Sequence, residues 1–203
     1  MGSSETTRGT LSVENTKAYL QGALHDGTFN HYNKRFRYCQ AGTDWLNILR
    51  DCLKITGYNS WIYREGKTRN VFVLETLAEF LNIAFNPLLL KTIGERKAYL
   101  RGFFDAEGGI PRNPNARFYI QLVQNDKEKL VKLKTLLNEL EIITGVIHNP
   151  SKAVDPDYFR MFVLKDSQVK FIEEIGTWHP RKLKTLHKRK EDDIVHALWR
   201  HRE

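Results

Sequence analysis

The chain has 203 residues, with 32 Lys and Arg against 24 Asp and Glu, a formal net charge of +8 and 41% hydrophobic residues, 11% of the total being aromatic. That is enough apolar material for a packed core and excludes a disordered polycation; no apolar run approaches the ~18 residues of a membrane-spanning helix, and the N-terminus carries no signal-like apolar core. Two cysteines, Cys39 and Cys52, make neither a disulfide framework nor a metal-ligand set, so a reducing intracellular compartment (cytoplasm, nucleoid or organelle) and a polyanionic partner, nucleic acid first, are expected.

In chain order, residues 1–13 are Ser, Thr and Gly-rich and read as a flexible arm. Residues 15–26 lack Pro, carry apolar positions at helical spacing and end on Gly27, predicting a helix closed by a glycine cap. Thr28 to Gln40 alternate polar and apolar residues, as antiparallel strands buried on one face do. A helix over 43–54, a hairpin of 58–64 with 69–74 and a helix over 75–84 complete a first half spanning 14–86, and 87–94 reads as a linker. The second half, 95–203, repeats the plan. A helix over 94–107 closes on Gly108, a strand runs from Arg117 to Gln124, and a helix covers 126–140. A hairpin of 143–149 with 158–164, a helix over 166–175 and a basic C-terminal helix from Pro180 follow. The expected fold class is α+β: two pseudo-symmetric αββαββα halves packed through their first helices, each with an antiparallel sheet.

Residue identities support the duplication. Lys17-Ala18-Tyr19-Leu20-Gln21-Gly22 returns as Lys97-Ala98-Tyr99-Leu100-Arg101-Gly102, with five of six residues identical at an offset of 80. Gln40 pairs with Gln124, and Leu46, Leu49 and Leu53 pair with Leu130, Leu133 and Leu137, all at an offset of 84. The drift between the two offsets is what insertions in surface loops produce.

Strand alternation turns Phe36, Tyr38, Phe118, Ile120 and Leu122 to the core and Asn33, Arg35, Arg37, Arg117, Tyr119 and Gln121 outward. Exposed arginines on a solvated sheet face are common, but their recurrence in both halves of a basic protein points to a ribbon reading base edges in a major groove. Lys34, Arg64, Lys67, Arg69, Arg112, Lys152 and Arg160 fall on loops and strand ends, where phosphate contacts add affinity without sequence information.

Glu107 sits at the C-terminal end of the second repeated helix and Asp26 at the end of the first. A carboxylate at the negative end of a helix dipole is disfavoured by ~0.3–1 kcal/mol unless a positive charge offsets it. If the helices abut, with Ala18, Gly22, Ala23, Ala98, Gly102 and Ala106 permitting close approach, the two acids converge as ligands for Mg²⁺, and Mn²⁺ or Ca²⁺ can take the same place. Asp-Gly and Glu-Gly are also ordinary turn dipeptides, so the weight lies in their equivalent positions. Asp105, two positions before Glu107, points ~200° away and is not expected to be a ligand.

Leu100 to Gly108 (LRGFFDAEG) resembles the signature of the LAGLIDADG homing endonucleases, and Tyr19 to Gly27 (YLQGALHDG) resembles a degenerate first copy. The resemblance covers about residues 15–185 and includes the segment His179-Pro180-Arg181-Lys182. It implies a single-chain monomer whose antiparallel sheets form a saddle on DNA and that cuts both strands of a long asymmetric duplex with a divalent metal, leaving staggered ends, with intron RNA as a further partner and no membrane. It also implies metal-binding and catalytic roles for Asp26 and Glu107, water organisation by Gln40 and Gln124, and a basic residue near the scissile phosphate at Lys165. At Lys165's counterpart the first half offers only Glu75.

One register question stays open, because Gly22 to Asp26 is one residue shorter than Gly102 to Glu107. Either Asp26-Gly27 anchors the match, placing Gln21 opposite Gly102, or the first helix end is distorted; the former is preferred. The seven histidines show no ligand spacing, and the four tryptophans read as packing residues. Two rival functions remain: an RNA maturase on the same scaffold, and a DNA-binding regulator with a decayed nuclease site.

Overall fold

A computed structural model describes residues 12–113 and 116–188. Most of the expected N-terminal arm and most of the expected C-terminal helix lie outside the described residues, and the last two residues of the expected arm, Ser12 and Val13, instead cap and begin α1. Helix α1 (Val13–Ala23) begins where the Ser12 side chain accepts from the Asn15 backbone N–H, and α3 (Ile93–Glu107) begins in a capping box of Thr92 and Glu95. The remaining helices are α2 (Asp44–Ile55), α4 (Lys127–Glu139, capped by Asp126), α5 (Lys165–Glu174) and α6 over 180–188.

The first half forms an antiparallel sheet of order β1-β2-β4-β3, from β1 (Gly27–Asn30), β2 (Arg35–Gln40), β3 (Ser60–Arg64) and β4 (Phe72–Thr76). The second forms β5-β6-β7, from β5 (Gly108–Gly109), β6 (Gln121–Gln124) and β7 (Phe159–Phe162). Single bridges, Thr144 to Val163 and His148 to Arg160, bring the 144–148 segment alongside β7. The second sheet thereby repeats the strand order of the first. One apolar core runs through both halves, and Tyr19, Leu20, Tyr99, Leu100, Phe103 and Phe104 on the central helices are almost wholly buried in it.

α1 and α3 cross so closely that a Cβ on Gly22 would strike the Tyr99 carbonyl and one on Gly102 the Tyr19 carbonyl. The contact is reciprocal at the offset of 80 residues, the arrangement of a pseudo-two-fold pair. Only glycine lets backbone meet backbone in this way.

Three expectations need correction. The helix expected over 75–84 does not form. Glu75 and Thr76 continue β4, and the following segment is held non-helical against α1, where Gln21 Nε2 donates to the Asn82 carbonyl at 2.6 Å and the Asn82 N–H donates to Gln21 Oε1 at 2.9 Å. Gly27 and Gly108 do close the two helix ends, their N–H groups donating to the Leu24 and Phe104 carbonyls, but with extended rather than left-handed dihedrals, and they open β1 and β5. They are glycine because a Cβ at Gly108 would collide with Phe104, and one at Gly27 would lie 2.8 Å from Leu24 Cδ1. The strand expected from Arg117 begins only at Gln121, although Ile120 is fully buried and its carbonyl accepts from the Val163 N–H at 2.9 Å.

Candidate functional site

Glu107 is the last residue of α3, and the chain turns straight into β5. The end of α1 differs. After Ala23 it tightens into a 3₁₀ turn over Leu24–Asp26 before β1 begins. The offset of 80 persists to the residue before Asp26: Tyr19 OH donates to Asp105 Oδ2 at 2.7 Å, and Tyr99 OH lies 2.6 Å from Nε2 of His25, the counterpart of Asp105. The preferred register, with Gln21 opposite Gly102, is therefore overturned, and the distorted helix end holds. The physical compensation is simple. Three 3₁₀ residues rise ~1.5 Å more than α-helical ones and turn ~60° further, which replaces the rise of the missing residue and most of its ~100° of rotation.

Both acids reach one locus. Burial, then the negative charge of Asp26, pushes the Glu107 carboxyl up to about 7, with Lys182 and Lys129 holding it back. Burial pushes Asp26 up to about 6, against a hydrogen bond from Gln40 Nε2 to Asp26 Oδ2 at 2.6 Å and the charge of Lys182. The half-buried Glu107 carboxylate is opposed by the charge of the more exposed Asp26, so negative charge gathers at this end of the two helices. No cluster of three or more His, Cys, Asp or Glu suited to a metal occurs among the described residues. Mg²⁺ fits the pair instead, since it is commonly held by one or two carboxylates with the remaining positions left to water and phosphate oxygens.

The expected positive charge at the end of α3 is partly supplied by the protein. Lys182 is 2% exposed, and its Nζ donates to the Phe104 carbonyl and, at 2.9 Å, to the Asp105 carbonyl. Burial lowers its ammonium to about 8 despite the attraction of Asp105. Its place in the sequence, two residues after Pro180, was the one signal that could have singled it out. Asp105 points away from the pair, as expected, accepting from Tyr19, Thr177 and the Trp178 N–H inside the core.

The other expected site residues divide. Gln40 touches Asp26 directly. Gln124 is buried and accepts from the Asn125 N–H at 2.8 Å, while its Nε2 lies 3.5 Å from His25 Nδ1. Lys165 is exposed in the first turn of α5, and the cations whose charge bears on the acids are Lys182 and Lys129. His25, packed edge-on to Phe103, is pushed down to about 3 by burial and then by Lys129.

The outward sheet faces are unlike. On β2, Arg35 bonds Glu75 at 2.9 Å and stacks over Trp61, while Arg37 reaches Glu65 at 2.6 Å and Glu75 at 3.2 Å. Glu75 also accepts from Tyr63 OH; against the cost of burial, the bonds from Tyr63 and Arg35 hold its carboxyl below the usual range. On β7, Arg160 lies over Phe162, with its Nε 3.3 Å from His148 Nε2. Gln121 covers Gly109, and Tyr119 meets Phe162 edge-on. Lys34 is exposed and Asn33 half-buried in the β1–β2 turn, and Arg64, Lys67 and Arg69 are exposed around the β3–β4 loop. Arg112, Arg117 and Lys152 are exposed on loops of the second half.

Residues 94–176 match the family model of the LAGLIDADG-like domain. A probable cell division protein WhiA from Clostridium botulinum is 30% identical over 74 residues, 36% of this chain and 23% of that protein. The chain thus spans about a quarter of the length of the curated relatives it matches. Among solved structures, I-DmoI in complex with DNA and Mn superposes with a TM-score of 0.60 at 17% identity, covering 81% of this chain and 97% of that one. The N-terminal LAGLIDADG domain of DUF199/WhiA superposes at 0.64 with 16% identity, covering 83% and 85%. At such identities the likeness concerns the fold. No helix among the described residues is long and apolar enough to cross a membrane.

Proposed function

Starting from a chain that belongs with the LAGLIDADG proteins, through the domain of its second half and the fold of both, we propose that it is a site-specific DNA endonuclease. It acts as a monomer on a long asymmetric duplex and hydrolyses both strands to leave staggered ends. The convergence of Asp26 and Glu107 at one end of the α1–α3 pair carries this reading. The divalent ion they would hold, Mg²⁺ by its oxygen ligands, supplies the charge that eases ionisation of water and stabilises the leaving oxygen.

The protein's own groups do the rest. Gln40 fixes Asp26 Oδ2 and keeps an oxygen of that carboxylate turned to the centre. Lys182 anchors the last carbonyls of α3 and so sets where Glu107 emerges. Arg35 and Arg37, held by Glu75, and Arg160, held against Phe162, present guanidinium groups on the two sheet faces for base edges and phosphates. That I-DmoI has been seen with DNA and Mn supports the reading.

The test uses duplexes that the protein retains from a randomised pool, cloned into supercoiled plasmid. Linear product is expected with Mg²⁺ and none with EDTA. Glu107→Gln should cut roughly 10³-fold more slowly while binding the same DNA within a few-fold. Undiminished cutting by this variant would overturn the assignment.

A second reading is a DNA-binding regulator with a decayed nuclease site, and the alignment of 74 residues at 30% identity with a protein named for cell division rather than for cleavage is the observation beside it. It requires binding without scission in any divalent cation, an outcome of the same assay.

A further inference from the structure

Two clefts lie by the acids, one lined by Glu107 and the other by Gln40, which bonds Asp26. One, of about 400 Å³, is lined by Glu107, His25, Gln124, Asn82 and Lys129 among others; the second, of about 810 Å³, is lined by Gln40, Trp45, Arg112, His179 and Arg181 among others. Each contains the glutamine that closes the central strand of its half and the residue five positions further on, in the first turn of the next helix. Those later residues are equivalent by the offset of 84 that relates α2 to α4, yet they differ in kind: Trp45 in one half, Lys129 in the other.

Trp45 is a core residue, 2% exposed, with its indole N–H donating to Tyr19 OH at 3.0 Å and its ring against His179. Nothing in the packing of α4 explains a lysine in the corresponding place. The first turn of a helix is the positive end of its dipole, where a cation is disfavoured by ~0.3–1 kcal/mol. Lys129 nevertheless stands half-buried at the wall of the smaller cleft, and its charge bears on Glu107 and His25. The charge of Lys182 favours ionisation of both acids, and that of Lys129 favours ionisation of Glu107.

We propose that Lys129 is a phosphate-contacting residue of one compartment only: its ammonium takes a non-bridging oxygen of the scissile phosphate of the strand that enters the cleft lined by Glu107 and Gln124. The inference rests on the endonuclease reading and deepens it. On the Gln40 side the equivalent position holds a buried indole and no cation, so the two hydrolyses differ in their need for this charge.

The experiment uses full-length protein, Mg²⁺ and the selected duplex with each strand end-labelled in turn, alongside the supercoiled plasmid. Lys129→Met should slow one strand at least about tenfold, leave the other within about twofold and accumulate nicked circles. Lys129→Arg should restore most of the linear product. A thermal melt matching wild type separates this from misfolding, and Lys129→Gln serves where the methionine variant melts early. Equal slowing of both strands, or no slowing, overturns the proposal while wild type still linearises the plasmid. Failure of wild type to cut overturns the endonuclease reading, and the role of Lys129 with it.

Discussion

The two halves share their helix contact closely and their working surfaces hardly at all. Gly22 and Gly102 meet each other's helix backbone reciprocally, and Tyr19 and Tyr99 each reach across to the other helix. Yet Tyr19 finds Asp105 and Tyr99 finds His25, α1 ends in a 3₁₀ turn and α3 does not, and a helix that follows the second sheet has no counterpart after the first. The first sheet face neutralises its arginines with Glu75 and Glu65, and the second holds Arg160 on an aromatic ring and a histidine. Backbone against backbone tolerates no change of residue, while an outward face tolerates many, so a duplicated unit keeps the first and diverges in the second.

The shared contact is broken most directly at the glycines. Gly102→Val places atoms where the Tyr19 carbonyl lies and should cost about 3 kcal/mol or more, lowering Tm by several degrees in a thermal melt. Gly42→Ala, where a Cβ meets nothing within 4 Å, is the control and should shift Tm very little. Equal shifts would refute the close crossing.

Acidity sharpens the comparison of the two helix ends. Glu107 near 7 and Asp26 near 6 both keep their protons to higher pH than free carboxylates, so the doubly ionised pair is lost as pH falls, first through 7 and then through 6. At low Mg²⁺ the cleavage rate should drop about tenfold per unit below 7 and more steeply below 6. For stability the sign runs the other way. Between ~4 and 7 the native protein binds more protons than the unfolded chain, so stability falls as pH rises through that window, by about 1–2 kcal/mol after allowance for solvent screening. Glu107→Gln should flatten the fall, and a pH series of thermal melts measures it.

The sheet faces give the smallest effect. Glu75→Gln leaves Arg35 and Arg37 short of a counter-charge, which should steepen the salt dependence of DNA binding by about one phosphate's worth and reduce discrimination between sites. An unchanged slope in a salt titration would mean that this face does not meet DNA.

Much of this was open to sequence reasoning for a definite reason. Leu46, Leu49 and Leu53 announce α2, and the repeated Lys-Ala-Tyr-Leu announces α1 and α3, because packing of a helix against a core imposes a period that survives in a single chain. The helix expected after β4 failed because its competitor is not local: Gln21, about sixty residues earlier, supplies the hydrogen bonds that hold Asn82 out of helix. The site divides likewise. Asp26 and Glu107 were visible through motif and repeat, whereas Lys129 and Lys182 lie on separate helices with no shared spacing, and only folding brings the charge of both to Glu107.

What the sequence by itself determined is the duplication, the element types that period and caps dictate, and the two acids at equivalent helix ends. The tertiary structure alone decided that α1 closes with a tightened turn, that Lys182 occupies the end of α3, and that one cleft holds a lysine where the other holds a tryptophan. Local pattern records what a segment must bury. The rotation of a helix end and the meeting of charges from distant segments follow from packing two helices until their backbones touch.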